Sequence, residues 1–260
     1  MVALPDVFLL SGLLWLFTIA AHLVVGGKLY SSFGPRYRAF CIYMLVAAVQ
    51  MSVLFCVRWL SSAYYWTWLA TEVIVWVLYV LILLELYHLV LQDYPAIMTT
   101  GRRFLVWTLG VSVILSAMTL FADLTHAHGP QTVVVYSWIL ERGILFSLTL
   151  YLLIIGLFVA RYRIVLRRNA ALHTNLFFLY FVSTTLAYFF LTISGQTATD
   201  LTNLVLLAIS AVCLTVWILK FEVAGEKAMI GSRPASEDAT RLFNQLDELN
   251  AALGRLAKKS

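Results

Sequence analysis

The chain has 260 residues, of which 62% are hydrophobic and 12% charged, with a formal net charge of +5. That balance and a mean hydropathy of +0.89 exclude an ordinary soluble domain. A polytopic membrane protein remains, with the lipid bilayer as its first partner and no nucleic-acid partner expected.

Seven stretches are long and apolar enough to cross a hydrocarbon core of about 30 Å, which takes about 20 helical residues. They lie near Val7–Gly26, Ala39–Leu60, Trp66–Leu91, Phe104–Ala122, Val133–Ala160, Leu176–Ile193 and Leu201–Phe221. The apolar runs are continuous rather than alternating, and a backbone in lipid must satisfy its own hydrogen bonds, so helices are expected and not strands. The predicted fold is an all-α, seven-transmembrane helix bundle over residues 1–222. Pro5, Pro35, Pro95, Pro130 and Pro234 all fall in loops or tails, so these helices should run without a proline break.

Basic residues set the orientation. Lys28, Arg36, Arg38, Arg102, Arg103, Arg161, Arg163, Arg167 and Arg168 fall on one side, and loops on the other carry no Lys or Arg outside the predicted spans. The positive-inside rule then places the amino terminus outside and the carboxyl terminus in the cytoplasm, as a multi-pass protein of a bacterial inner membrane. The outer face carries Asp6, Asp123 and Asp200 with a rim of Trp59, Tyr64, Tyr65, Trp66, Trp68, Tyr136 and Trp138, the pattern of an interfacial belt. The leader Met1–Asp6 has no basic residue, so the first span is expected to stay as a helix and not to be cleaved. Cys41, Cys56 and Cys213 lack metal or redox spacing and are expected to pack.

Charges inside the spans are the default place to look for function. Arg58, Glu72, Glu141 and Arg142 fall in the outer third and form one expected polar cluster. It reads as ion pairs that fix helix register, or as an outward pocket in which the arginine forks hold an anionic group. His22, Glu85, His88 and Lys220 fall toward the cytoplasm and form a second cluster.

Glu85 and His88 make a Glu-x-x-His step on one helical face, but a di-metal bundle site needs two such steps and two further glutamates. His22, Glu85 and His88 carry ligand types for a single metal ion, and the two histidines could flank a heme. Pairing of Glu85 with Lys220 or the basic loops, with His88 reaching the interface, accounts for the same residues without either. No metal or other cofactor is therefore expected, and a titrating Glu85–His88 switch is the functional alternative. No nucleophile, base and oxyanion donor occur in recognisable order and no phosphate-binding glycine loop is present, so no enzymatic activity is expected.

Residues 223–236 read as a Gly/Pro/Ser-containing linker, and 237–260 as a short cytoplasmic amphipathic, coiled-coil-like helix. Leu242, Leu246, Leu249, Leu253 and Leu256 alternate steps of four and three along one stripe. Fewer than three full heptads make a weak isolated coiled coil. The stripe can pair with a second copy, dock beneath the bundle or bind another protein, and self-association or partner binding is the expectation.

The stretch "YYWTWLATEVIVWVLYVLILLELYHLVLQDYPAIMTTGRRFLVW" with "LERGILFSLTLYLL" resembles a group of uncharacterised bacterial seven-helix membrane proteins. They share a Tyr/Trp-rich start, a glutamate early in the third helix, a Tyr-Pro turn, Arg-Arg before the fourth helix and Leu-Glu-Arg in the fifth. Here those are Trp66, Glu72, Glu85, Tyr94, Pro95, Arg103, Glu141 and Arg142. The resemblance brings no known activity, but it marks Glu72, Glu141 and Arg142 as one unit. G-protein-coupled receptors share only the topology, since no arginine separates Asp93 from Tyr94. Lys220 lies too near its helix end for a retinal lysine.

The functional expectation is a non-enzymatic, receptor-like or sensory protein whose ligand the sequence does not name. A small transporter or channel using the intramembrane Glu, Arg and His residues is the alternative, and an accessory subunit attached through its tail is the second. A continuous polar path from Glu72 to Glu85 would mark transport. An outward pocket closed above an apolar plug would mark sensing, and a dry bundle with paired charges a structural role.

Overall fold

The computed structural model describes residues 5–92, 132–162, 166–194 and 198–230, with 107, 110, 114, 164, 241, 244–248, 250–251 and 255. Six long helices carry the fold: α1 (Pro5–Ser32), α2 (Arg38–Val57), α3 (Ser61–Leu91), α4 (Thr132–Tyr162), α5 (Arg168–Ser194) and α6 (Thr199–Lys220). All six are long and apolar enough to cross a membrane. Even α2, with 20 residues, reaches about 30 Å at about 1.5 Å per residue. These helices coincide with six of the seven predicted spans. The fourth, Phe104–Ala122, lies outside the described residues apart from the helical positions Trp107, Gly110 and Ile114.

α5 begins at Arg168, well before the predicted Leu176, because its first polar residues have partners within the protein. Asn169 donates to the Glu222 carbonyl at 2.7 Å, and Thr174 donates to the Ala170 carbonyl at 2.8 Å. A hydropathy reading discounts such residues, whereas a helix end tied into its neighbours tolerates them.

The helices close a ring in which α1 packs on α2 and α6, α2 on α3, α3 on α4, α4 on α5, and α5 on α6. Helix α3 also touches α5, and 50% of its apolar window is buried against 28% for α1 and α6, which makes it the central helix. Phe40, Met44, Ile82, Leu83, Leu86, Leu145, Leu148, Phe177 and Phe181 form the fully enclosed core. Leu13, Val49, Val77, Leu157, Leu186 and Val212 point outward, as expected of a surface solvated by lipid tails.

One end of the bundle is clasped around Glu226. Its carboxylate pairs with Arg36 at 3.0 Å and accepts bonds from the Tyr37 hydroxyl at 2.6 Å and Asn169 Nδ2 at 2.9 Å. Its carbonyl accepts from Arg167 Nη1 at 3.2 Å, and Arg36 also donates to Gln92 at 2.9 Å. Burial and this hydrogen bond to Glu226 raise the Tyr37 hydroxyl well above its ordinary pKa, so it acts as a donor. The carboxylate sits on a 3-10 turn, Val223–Glu226, that follows α6. In that turn Gly225 lies so close to the Asn169 side chain that a Cβ would collide with it. A second 3-10 turn, Gly34–Tyr37, supplies Arg36 and Tyr37, and Gly34 gives it a positive φ of 57°. Strands β1 (Leu166–Arg167) and β2 (Met229–Ile230) then pair antiparallel, with Leu166 opposite Ile230.

The expected linker 223–236 is thus folded onto the bundle over residues 223–230, because Glu226 finds three side-chain partners there. Beyond it, Leu246 is 0% exposed and belongs to the main core cluster, so the tail at this position packs on the bundle. Leu242, Leu249, Leu253 and Leu256 lie outside the described residues.

Replacing Glu226 with Ala removes an ion pair and two hydrogen bonds at once and leaves Arg36, Tyr37 and Asn169 without their shared acceptor. A destabilisation of at least about 2 kcal/mol is expected in thermal unfolding of the detergent-solubilised protein. Deprotection of residues 223–230 in hydrogen exchange should accompany it.

Candidate functional site

The other end of the bundle, where α3, α4 and α6 begin and α2 and α5 finish, is hollow. A cavity of about 230 Å³ lies between the helices, lined by residues that include His22, Gln50, Glu72, Tyr79, Glu141 and Tyr188. A second space of about 400 Å³ adjoins it, shares Tyr64, Trp68, Tyr188 and Asn203, and adds Tyr65, Trp138 and Thr199 from the helix turns at that end. The expected aromatic belt therefore has two parts. Trp59 and Trp66 are 68% and 60% exposed and fit the interface, while Tyr64, Tyr65, Trp68 and Trp138 wall the mouth of a pocket.

Glu72 and Glu141 meet across this cavity. Their carboxyl groups lie within hydrogen-bonding reach of each other. Gln50 donates to Glu72 Oε2 at 3.1 Å, and Tyr188 bonds Glu141. Glu72 is 7% exposed and Glu141 3%, so both acids belong to the interior and not to the lipid surface. Deeper in the cavity, the Tyr79 hydroxyl links Tyr180 at 3.1 Å and Tyr43 at 3.5 Å. His22 Nδ1 donates to the Thr18 carbonyl at 2.7 Å, and its ring meets Tyr43 edge-on at 6.3 Å.

Below Tyr43 and Tyr180 the hollow tapers to a void of about 10 Å³ against Phe177 and Trp217, room for about one water. Under it lies a layer of rings. Phe40 contacts His173 at 4.2 Å, Trp217 at 4.9 Å and Phe177 at 5.5 Å, and Phe221 joins through Tyr37 at 5.0 Å. His173 is 0% exposed at the centre of that layer, and among the described residues neither of its ring nitrogens has a hydrogen-bond partner. This aromatic floor separates the cavity from the Glu226 clasp.

The eight sequence candidates fall in different surroundings. Glu72 and Glu141 line the cavity, and His22 joins them there. The Arg58 guanidinium lies over Phe55 at 4.0 Å and Trp59 at 4.6 Å, and Arg142 is 5.9 Å from the Phe189 ring; neither lines the cavity. Glu85 lies beyond the floor, where it accepts the Ala39 N–H at 2.7 Å and the Phe40 N–H at 3.2 Å. It therefore caps α2 from a neighbouring helix, opposite the positive end of that helix's dipole. His88 and Lys220 are exposed at the same end. Among the described residues no group of His, Cys, Asp and Glu is arranged to hold a metal ion.

Sequence reasoning passed over Tyr43, Tyr79, Tyr180, Tyr188, Gln50 and Asn203, since uncharged polar residues within spans were not counted. It also passed over the reason for Glu85. The missing cap was visible: Tyr37, Arg38 and Ala39 open α2 with no Ser, Thr, Asp or Asn to accept its first amides. Comparison with protein-family models, curated proteins and solved structures finds no match to this chain. What fold and site together define is a multi-pass membrane protein with a polar, acid-lined cavity at one end of its bundle.

Glu85→Ala should speed hydrogen exchange at the start of α2 and destabilise the protein by about 1–2 kcal/mol, the usual size of a lost cap. Glu85→Gln keeps one acceptor and should lose less. His88→Gln should leave α2 unchanged; equal damage from it would contradict the capping role.

Proposed function

We propose that this protein is a receptor-like sensor of the inner membrane whose ligand site is the Glu72–Glu141 cavity and whose output is the docked tail. The observation that carries the reading is the aromatic floor. A hollow lined by carboxyl, hydroxyl and imidazole groups ends on closely packed rings, and the next acid along α3, Glu85, is held in a helix cap on the far side. A transport path needs a continuous run of polar groups through that level, where the imidazole of His173 is enclosed by Phe40, Phe177 and Trp217 and makes no hydrogen bond among the described residues. A sensor needs a packed layer that two sites can share.

Charge placement supports the orientation. Lys28, Arg36, Arg38, Arg161, Arg167, Arg168, Lys220 and Lys227 all lie at the clasped end, which the positive-inside rule assigns to the cytoplasm. The cavity then opens toward the outside, and the tail lies inside the cell. Rings connect the two: Tyr43 and Phe177 belong to the cavity and its floor, Trp217 and Phe221 continue the contact, and Tyr37 hands it to Glu226. Leu246 anchors the tail to the bundle, and the repeat of its stripe suits a contact with a partner protein or a second copy. No step of this reading requires an enzymatic activity.

Ser210, on the cavity wall, is the site for a test. In a variant lacking native cysteines, Ser210→Cys is treated with a small membrane-impermeant thiol reagent from either side of oriented vesicles. Labelling from the outer side alone, with altered hydrogen exchange in residues 241–255 once the adduct fills the cavity, is expected. Labelling from both sides would favour transport, and a tail indifferent to the adduct would favour a structural role.

A further inference from the structure

We propose that the cavity binds a small organic ammonium ion, with Glu141 and Glu72 as its counter-charge and tyrosine and tryptophan rings as its walls. The proposal rests on the receptor reading above and names the chemical class of its ligand. An anion held by arginine forks, one of the two sequence expectations for these residues, does not suit the geometry. Among the described residues no Lys or Arg lines the cavity, and the two acids do.

The acceptor side of the site is specific. Glu141 is 3% exposed, and among the described residues its Oε2 has no donor partner, its neighbour Glu72 being a second carboxyl. A buried carboxyl oxygen in that position is stabilised by any N–H that enters, because burial without a donor is costly. His22 uses its Nδ1–H on the Thr18 carbonyl, so the neutral ring offers Nε2 as a further acceptor. Glu72 lies beside Glu141 in the same cavity, so two neighbouring carboxyl groups supply the counter-charge.

The walls select an organic cation over an inorganic one. Trp15, Tyr43, Tyr64, Trp68 and Tyr79 line the same space, and ring faces attract alkylammonium groups while supplying none of the oxygen cage that a metal ion requires. The volume of about 230 Å³ lies below the usual range for drug-sized ligands, so the ligand is compact. The adjoining space of about 400 Å³ at the mouth carries the same aromatic lining and gives a route of entry.

The test uses full-length protein in lipid nanodiscs, with tryptophan fluorescence reporting from Trp15 and Trp68. Tetramethylammonium, n-butylammonium and phenethylammonium chlorides are titrated against butyrate, n-butanol and sodium chloride. A saturable response to at least one ammonium ion at a Kd of about 1 mM or tighter is expected, with none to the controls at the same concentration. Glu141→Gln should weaken it about 10- to 100-fold. Glu72→Gln should act in the same direction and serves if the first variant folds poorly, and Lys227→Gln should bind as the unmodified protein does.

Binding of butyrate in place of the amines, ammonium binding unchanged in both glutamate variants, or no ammonium response at about 1 mM would each overturn the proposal. The two readings fail separately. Glutamate-dependent amine binding that leaves the tail's hydrogen exchange unmoved keeps the ligand class and removes the sensor. A tail that responds to the Ser210→Cys adduct, with no amine bound, does the reverse.

Discussion

A carboxyl group inside a hydrocarbon layer has no water to turn to, so its hydrogen-bond partners must come from the protein. The three glutamates within the spans meet that requirement in two ways, and the layout of the molecule follows from the difference. Glu85 takes two backbone amides at the start of α2 and becomes part of the frame. Glu72 and Glu141 lie beside each other with Gln50 and Tyr188 at their flanks, and the hollow they border leaves one buried oxygen of Glu141 without a donor among the described residues. A frame acid is satisfied, and a site acid is left with capacity to spare.

The aromatic residues divide along the same line. Those at the outer turns are split between the lipid interface and the cavity mouth, and those deep in the bundle form the floor around His173. Rings suit a partition of this kind because they fill area with few rotatable bonds, and edge-to-face packing gives each contact a preferred geometry. Packed in this way, the rings close the cavity on one side. Below it, the Glu226 clasp ties α5, both 3-10 turns and the segment after α6 into one unit, with the tail held nearby through Leu246.

Hydropathy and helix length carried the six spans directly, because both depend on local composition and the bilayer thickness is fixed. Depth along each span gave one expected level to Glu72 and Glu141, and both line the same cavity. Partner choice was not legible. Arg58 lies against Phe55 and Trp59, an arrangement that needs the packing of neighbouring side chains to be known. His22 was assigned with Glu85 by depth alone, but the ring neighbours of α1 turn it toward Tyr43 and the cavity. The segment 223–230 read as a linker because its composition is that of one; Glu226 folds it only through residues distant in sequence, Arg36, Tyr37 and Asn169.

The division of the bundle into a hollow half and a sealed half is the claim on which the rest stands. Hydroxyl-radical footprinting of the protein in lipid nanodiscs measures it directly, since modification requires water beside the side chain. The account predicts modification of Tyr64, Trp68, Tyr188 and Tyr43, with Phe40, Phe177, Trp217 and Phe221 protected. Modification of Trp217 and Phe221 to the same extent as Tyr43 would reveal a continuous wet path through the floor and contradict it.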